Sequence, residues 1–475
     1  MEQGVMPAIE RALAPAFSKG YRAWLLTVLL LMNALNLADR QCMAAVSQAI
    51  KLDIRLTDAQ LGIIQGFGFA IFYASHGLPV ARLAEHFSRT KLLAAAIGLF
   101  GVMSSLCSTA QGFWQLLICR VGVGVGDAGL NPPVGSLIGD HFKMDRRASA
   151  MTVIWLGAPL GAVSGLKLGG WMAEHVSWRA AFVTIGAIGV VVAIIAVLTL
   201  REPPRGMSDA GGRTAGPPPP MGEVLRFVLS KPSARHILIG CGLAATAMNG
   251  IGQFLSPFLQ RHFRIGPDEA GGLQALIAGL SMASGLAVGG FGVDWAARFD
   301  KRWFAWGPGL TLIVCSPFFV FGFVQVSVPV AVVLLMAAHI FLFVYYTPSL
   351  AMAQNMVGAS MRASSAFITA FVIGMVGIGL GPTIVGLLSD DYARHAFTLG
   401  NYTALCPKGL PPPGAAANIA AACREASAIG MRNALMSMGL IPLWGAVHYF
   451  LAARTLRRDL DVHYEGPASP QPAKA

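Results

Sequence analysis

The sequence predicts an all-α membrane protein of twelve spanning helices, arranged as two halves of six. Three observations carry this. Of 475 residues, 55% are hydrophobic and only 12% charged, about half the charged share of a soluble domain. Apolar segments near the ~20 residues needed to cross a hydrocarbon core recur along the whole chain. The stretch "REPPRGMSDAGGRTAGPPPPMGEVLRFVLSKPSARH" interrupts them midway, too rich in Pro, Gly and charge to span anything.

The expected spans are 22–50, 60–80, 92–111, 113–139, 148–173 and 179–200, then 236–260, 270–296, 303–325, 328–356, 364–389 and 430–453. Residues 1–21 form an N-terminal segment, 22–200 a first six-helix bundle, 201–235 a linker, 236–453 a second bundle, and 454–475 a tail. A long irregular stretch, 390–429, separates the last two spans. The opening "MEQGVMPAIERALAPAFSKG" lacks a basic region leading into a short apolar core, so no removable signal peptide is expected.

The net charge of +12 could suggest nucleic acid, but its placement excludes that reading. With helices alternating in direction, 23 of the 35 Lys and Arg fall on the side that holds both termini. That bias is the positive-inside rule, and it predicts cytoplasmic termini.

Within the first span, "LMNALNLADRQCMAA" places Asp39 beside Arg40 in an apolar run. A charge at mid-membrane costs at least ~2.5–3.5 kcal/mol, so such residues face a bundle interior or wet cavity and pair there. The fourth span holds "GVGVGDAG", whose Gly124, Gly126 and Gly129 match a dinucleotide fingerprint in spelling. No strand precedes them, so their expected role is close helix packing. Arg120 and Asp127 flank this stretch, seven residues apart, on one helix face and about 10 Å apart along the axis. Asp39, Arg40, Arg120 and Asp127 form the candidate substrate and proton site; a static buried ion network is the alternative. Lys167, a lone base in span five, either snorkels or helps neutralise the cavity.

Softer polar candidates for lining a cavity are Asn36, Asn249, Gln253, His339, Tyr345, Tyr346 and Asn355. Each could equally be a satisfied inter-helix hydrogen bond. Glu85 and Arg89 lie four apart at one cytoplasmic turn, and Asp294 and Arg298 repeat that spacing at another, as a candidate gate. Cys406 and Cys423 are the only cysteines of the 390–429 loop, which this topology puts on the oxidising side. They form either a disulfide or two unpaired thiols.

At this point the residues resemble a family. The two six-span halves, the turn after span two and the arginine in span four resemble the major facilitator superfamily. More narrowly, "NLADR" (36–40), "FWQLLICRVGVGVGDAG" (113–129), "GAPLGAVSG" (157–165) and "REPPRG" (201–206) resemble the spinster lipid transporters. Asp39, Arg40, Arg120 and Asp127 match that family's charged site position by position. Asp127 stands where the family usually has Glu, and Glu85-His86 where its latch usually reads Asp-Arg, with Thr90 in place of a base. The resemblance implies alternating access by rocking bundles, with lysophospholipids or sphingosine phosphate as family cargoes.

The expected function is a secondary active transporter of an amphiphilic, anionic substrate, with coupling to protons. The alternatives are a drug or small organic-anion permease, and, in another class, a lipid-binding sensor or membrane-embedded enzyme. The spans hold no nucleophile elbow or metal-ligand spacing, so no catalytic residue, metal or cofactor is expected. Expected partners are membrane lipids, the substrate and protons, not nucleic acid. The expected form is a monomer in a bacterial inner membrane.

Overall fold

The computed structural model describes residues 17–68, 87–142, 144–203, 220–358 and 361–461. Every regular element among them is helical.

The first helix, α1 (Lys19–Ile54), starts where Ser18 accepts the Tyr21 N–H and stops where Arg55 turns into the left-handed region at φ 51°. A capping box then restarts the chain, with Thr57 and Gln60 each accepting the other's backbone N–H, and opens α2 (Asp58–Gln65). This is the start of the second expected span; the rest of 60–80 lies outside the described residues. Next come α3 (Arg89–Cys107) and α4 (Phe113–Ala128). The chain breaks right after Asp127 and resumes as α5 (Asn131–His141), with prolines in its first turn, where a missing N–H costs nothing. Then follow α6 (Met144–Trp155), α7 (Gly157–His175) and α8 (Trp178–Thr199).

"GAPLGAVSG" opens α7, and its glycines explain how closely that helix meets α1. A Cβ at Gly161 or Gly165 would lie 2.1–2.2 Å from the Ala34 or Ala38 carbonyl oxygen. Gly126 likewise lies against the α3 backbone at Ala96 and Phe100, which is the packing role expected for the span-four glycines.

The expected linker 201–235 contains a helix, α9 (Met221–Ser230), which the Pro and Gly around it obscured. Val224 and Val228, one turn apart, are its buried stripe. The second half comprises α10 (Pro232–Phe263), α11 (Pro267–Ala287), a π-helical turn at Val288–Gly292, α12 (Val293–Ala297), α13 (Trp303–Val324), α14 (Val328–Phe343) and α15 (Tyr346–Asn355). It continues through α16 (Arg362–Val372), a π-helical stretch at Ile373–Leu380, α17 (Gly381–Ala396), the short α18 (Tyr402–Leu405) and α19 (Ala417–Asp461). The 390–429 stretch is therefore not irregular throughout. Its Ala-rich second part, "AAANIAAACREAS", begins α19, because alanine favours helix even where apolarity is too weak to signal a span.

Eleven helical stretches among the described residues are long and apolar enough to cross a membrane. Close packing groups the chain into two compact units. The first holds residues 1–212, 250–279 and 378–435; the second holds 213–249, 280–377 and 436–475.

Candidate functional site

The first unit holds the four expected charges, but pairs them differently from their order in sequence. Asp39 is wholly buried on α1. One carboxylate oxygen accepts from Arg120 Nη1 at 2.5 Å, the other from Ser104 Oγ at 2.5 Å. Asp39 and Arg40, though adjacent in sequence, point about 100° apart on the helix, and the Asp39 oxygens turn to α4 and α3. Arg120 reaches it from α4, its guanidinium 5.9 Å from the centre of the Phe182 ring of α8. Arg120 Nε is buried with no hydrogen-bond partner. Four helices thus meet around one ion pair that is almost sealed from solvent.

Asp127 has a different setting. It accepts from the Asn36 side-chain amide, and the Arg40 charge lies close enough to act on it. Asn36 and Asp39 are three apart on α1 and so share a face. They meet Asp127 and Arg120 in reversed order on α4, as antiparallel spans require. The result is one acid locked to a cation and a second held by a neutral amide at a helix break. Ser104 was not legible in the sequence, since a serine within an apolar helix carries no signal of its partner.

The remaining candidates divide. Asn249 donates to the Ala245 carbonyl at 2.9 Å, a bond within its own helix. Gln253 is buried on α10. His339 is buried, with Nδ1 2.7 Å from the Leu335 carbonyl and its ring edge-on to Phe319; both contacts are local packing. Tyr345 is wholly buried against Met248 Sδ, and Tyr346 is partly buried. Asn355 lines a cavity at the end of α15. Lys167 forms an ion pair with Asp268 at 2.6 Å, so it does not stand free.

Of the gate expected at the cytoplasmic turns, Arg89, Asp294 and Arg298 are among the described residues. Glu85 lies outside the described residues. Arg89, 2% exposed, binds Asp140 and Glu202 and donates to Ser136 Oγ and the Pro203 carbonyl. Glu202 follows α8, where partial burial pushes its carboxyl up. The Thr90 N–H, Arg89 and Ser88 outweigh this and hold it below its ordinary 4.5. Asp294 and Arg298 form no ion pair with one another.

A larger charged cluster, unexpected from the sequence, joins the Ile54 end of α1 to α10 and α17, all within the first unit. Asp58 accepts from Lys51 Nζ, both Arg261 Nη atoms and Ser389 Oγ at 2.7–2.8 Å. Asp390 caps α2 by accepting the Asp58 and Ala59 N–H groups at 3.1 and 2.9 Å. Arg261 also donates to Gln48. In the sequence each charge looks like an ordinary span flank, since the partners lie up to 332 residues apart. Beside this cluster Cys406 and Cys423 form a disulfide, packed with Phe397 and Tyr402. Burial pushes the Tyr402 hydroxyl up, and Asp58 and Asp390 add to it.

A fold of apolar helices with buried opposite charges is that of a membrane transporter, and the comparisons agree. The family model of the Major Facilitator Superfamily matches residues 29–382, and the chain belongs to that superfamily. An "MFS-type efflux pump" of Mycolicibacterium smegmatis is 30% identical over 92% of this chain and 94% of its own length. Human "Protein spinster homolog 1" is 26% identical over 80% of this chain and 75% of its own. A solved bacterial homolog of the human lysosomal transporter Spinster, in an inward-facing and occupied conformation, superposes with a TM-score of 0.83. It shares 29% identity over 93% of this chain and 99% of its own. Within the superfamily, the chain is of the spinster type.

Proposed function

We propose that this transporter carries an anionic amphiphile, a lysophospholipid or sphingosine-phosphate-like molecule, by alternating access between halves 22–200 and 236–453, and that protons modulate it. The observation that carries the reading is the division of labour between two buried acids. Asp39 is neutralised by Arg120; Asp127 is held by the uncharged Asn36. Asp127 sits between this amide and the nearby Arg40 charge, so its protonation and the charge offered to a headgroup are linked. Arg40, whose charge acts on Asp127, is the base assigned to the anionic headgroup.

The charge bias favours cytoplasmic termini in a bacterial inner membrane. A second reading, export of amphiphilic drugs, is favoured by the mycobacterial relative named as an efflux pump. Flux of a labelled lysophospholipid into proteoliposomes at two pH values tests the proposal. Asp127→Asn should fold and lose the pH response. A wild-type pH response in that variant removes Asp127 from any coupling role, and drug flux without lysophospholipid flux selects the second reading.

A further inference from the structure

The second unit contains a charged cavity that the transport site does not use. We propose that it binds the phosphate headgroup of an anionic phospholipid. The cavity, about 670 Å³, lies where α12, the turn before α13, the end of α15 and the end of α19 meet. That volume is within the usual range for small-molecule sites. Its charged lining is Arg298, Lys301 and Arg457 with Asp300, and Asn355 adds a neutral amide. Arg457 is already neutralised by Asp300, at 2.7 Å. Asp300 also accepts the Arg302 N–H, which with Arg457 holds its carboxyl below the usual range and keeps it ionised at neutral pH. Arg298 and Lys301 have no acidic partner among the described residues. Three cations against one anion leave the cavity two positive charges in excess.

The rest of the lining and its surroundings select a lipid over a soluble anion. Phe299, Phe304 and Met352 form apolar walls. Phe291, Trp295 and Phe299 follow at four-residue spacing and are 83%, 61% and 74% exposed, the last two with ring centroids 5.3 Å apart. An aromatic stripe beside bases, at the end of a membrane helix, is the composition of a membrane–water interface. A small phosphate would leave these rings unused; a phospholipid would place its phosphate on Arg298 and Lys301 and its glycerol and acyl carbons on the rings. The sequence repeat "GGFGVDWAARFDKR" thus supplies a binding surface where an ion-paired gate was expected.

Native mass spectrometry of the full chain tests this, with phosphatidylglycerol and phosphatidylcholine as competing ligands. One phosphatidylglycerol should stay bound where phosphatidylcholine does not. Each base near a lipid surface contributes about 1 kcal/mol, so Arg298→Gln with Lys301→Gln should weaken binding roughly 10- to 30-fold. Lys301→Gln alone, in the turn before α13, should weaken it about fivefold. Arg226→Gln, an exposed base of α9, should change nothing. Equal phosphatidylglycerol binding in the double and single variants overturns the proposal. Displacement by millimolar glycerol phosphate or inorganic phosphate overturns the lipid assignment, leaving a soluble-anion site.

Discussion

Asp39 and Asp127 are the same residue type on two facing helices, α1 and α4, and their partners give them different work. Asp39 and Arg120 are 0% and 3% exposed in their side chains, so each is tolerable there only because of the other. Removing one partner of a buried pair typically costs about 3–5 kcal/mol, while removing both often costs little. Asp39→Asn should therefore lower thermal stability by about that amount, and adding Arg120→Gln should restore most of it without restoring transport. A single variant as stable as the parent would show that Arg120 finds another partner. Glu202 gives a pH signature. Its folded value lies below the ordinary 4.5, so its contribution to stability is complete above that pH and is lost as pH falls through the folded value. The melting-temperature deficit of Glu202→Gln should be present at neutral pH and vanish on acidification; a deficit that grows in acid contradicts this. At this scale the charged residues were legible, because a charge inside an apolar run is conspicuous. Their pairing was not: nothing in the sequence reports that Asp39 meets Arg120 or that Arg89 meets Asp140 and Glu202.

The same contrast holds for whole elements. The spans were legible from apolar length, and the glycine-rich end of α4 and start of α7 from their spelling. What apolarity could not signal were helices whose cores are small or short, namely α9 in the linker and the Ala-rich start of α19. The cluster at the Ile54 end of α1 was also invisible, because its four charges come from four separate helices. Asp58 there lies between Lys51 and Arg261 and is 2% exposed. Asp58→Asn leaves two like charges facing each other, and α2 then loses its hold on α10 and α17. Spin labels placed on α2 and α17 should show a longer, broader distance distribution in the variant. An unchanged distribution would mean that the helix contacts at Gly62 and Gly386, where a Cβ would strike the facing backbone at 2.1–2.3 Å, suffice without the charges.

For the molecule as a whole, the two compact units differ from the two halves of the chain. Residues 250–279 and 378–435 pack with the first half; the Asp58 cluster and the Lys167–Asp268 pair tie them to it, and the disulfide lies within the second of them. No sequence pattern reports such long-range grouping, whereas the superfamily was legible from short motifs that the family model then matched. The central claim is that the buried charges recognise the headgroup of a molecule that also has a tail. The most direct measurement is binding of a chain-length series of lysophospholipids, with Arg40→Ala and Arg120→Ala alongside. Each buried CH₂ contributes about 0.8 kcal/mol, so affinity should climb steeply with tail length in the parent and collapse in both variants at every length. Short, tail-free phosphates that bind as tightly as long-chain ones would contradict the account.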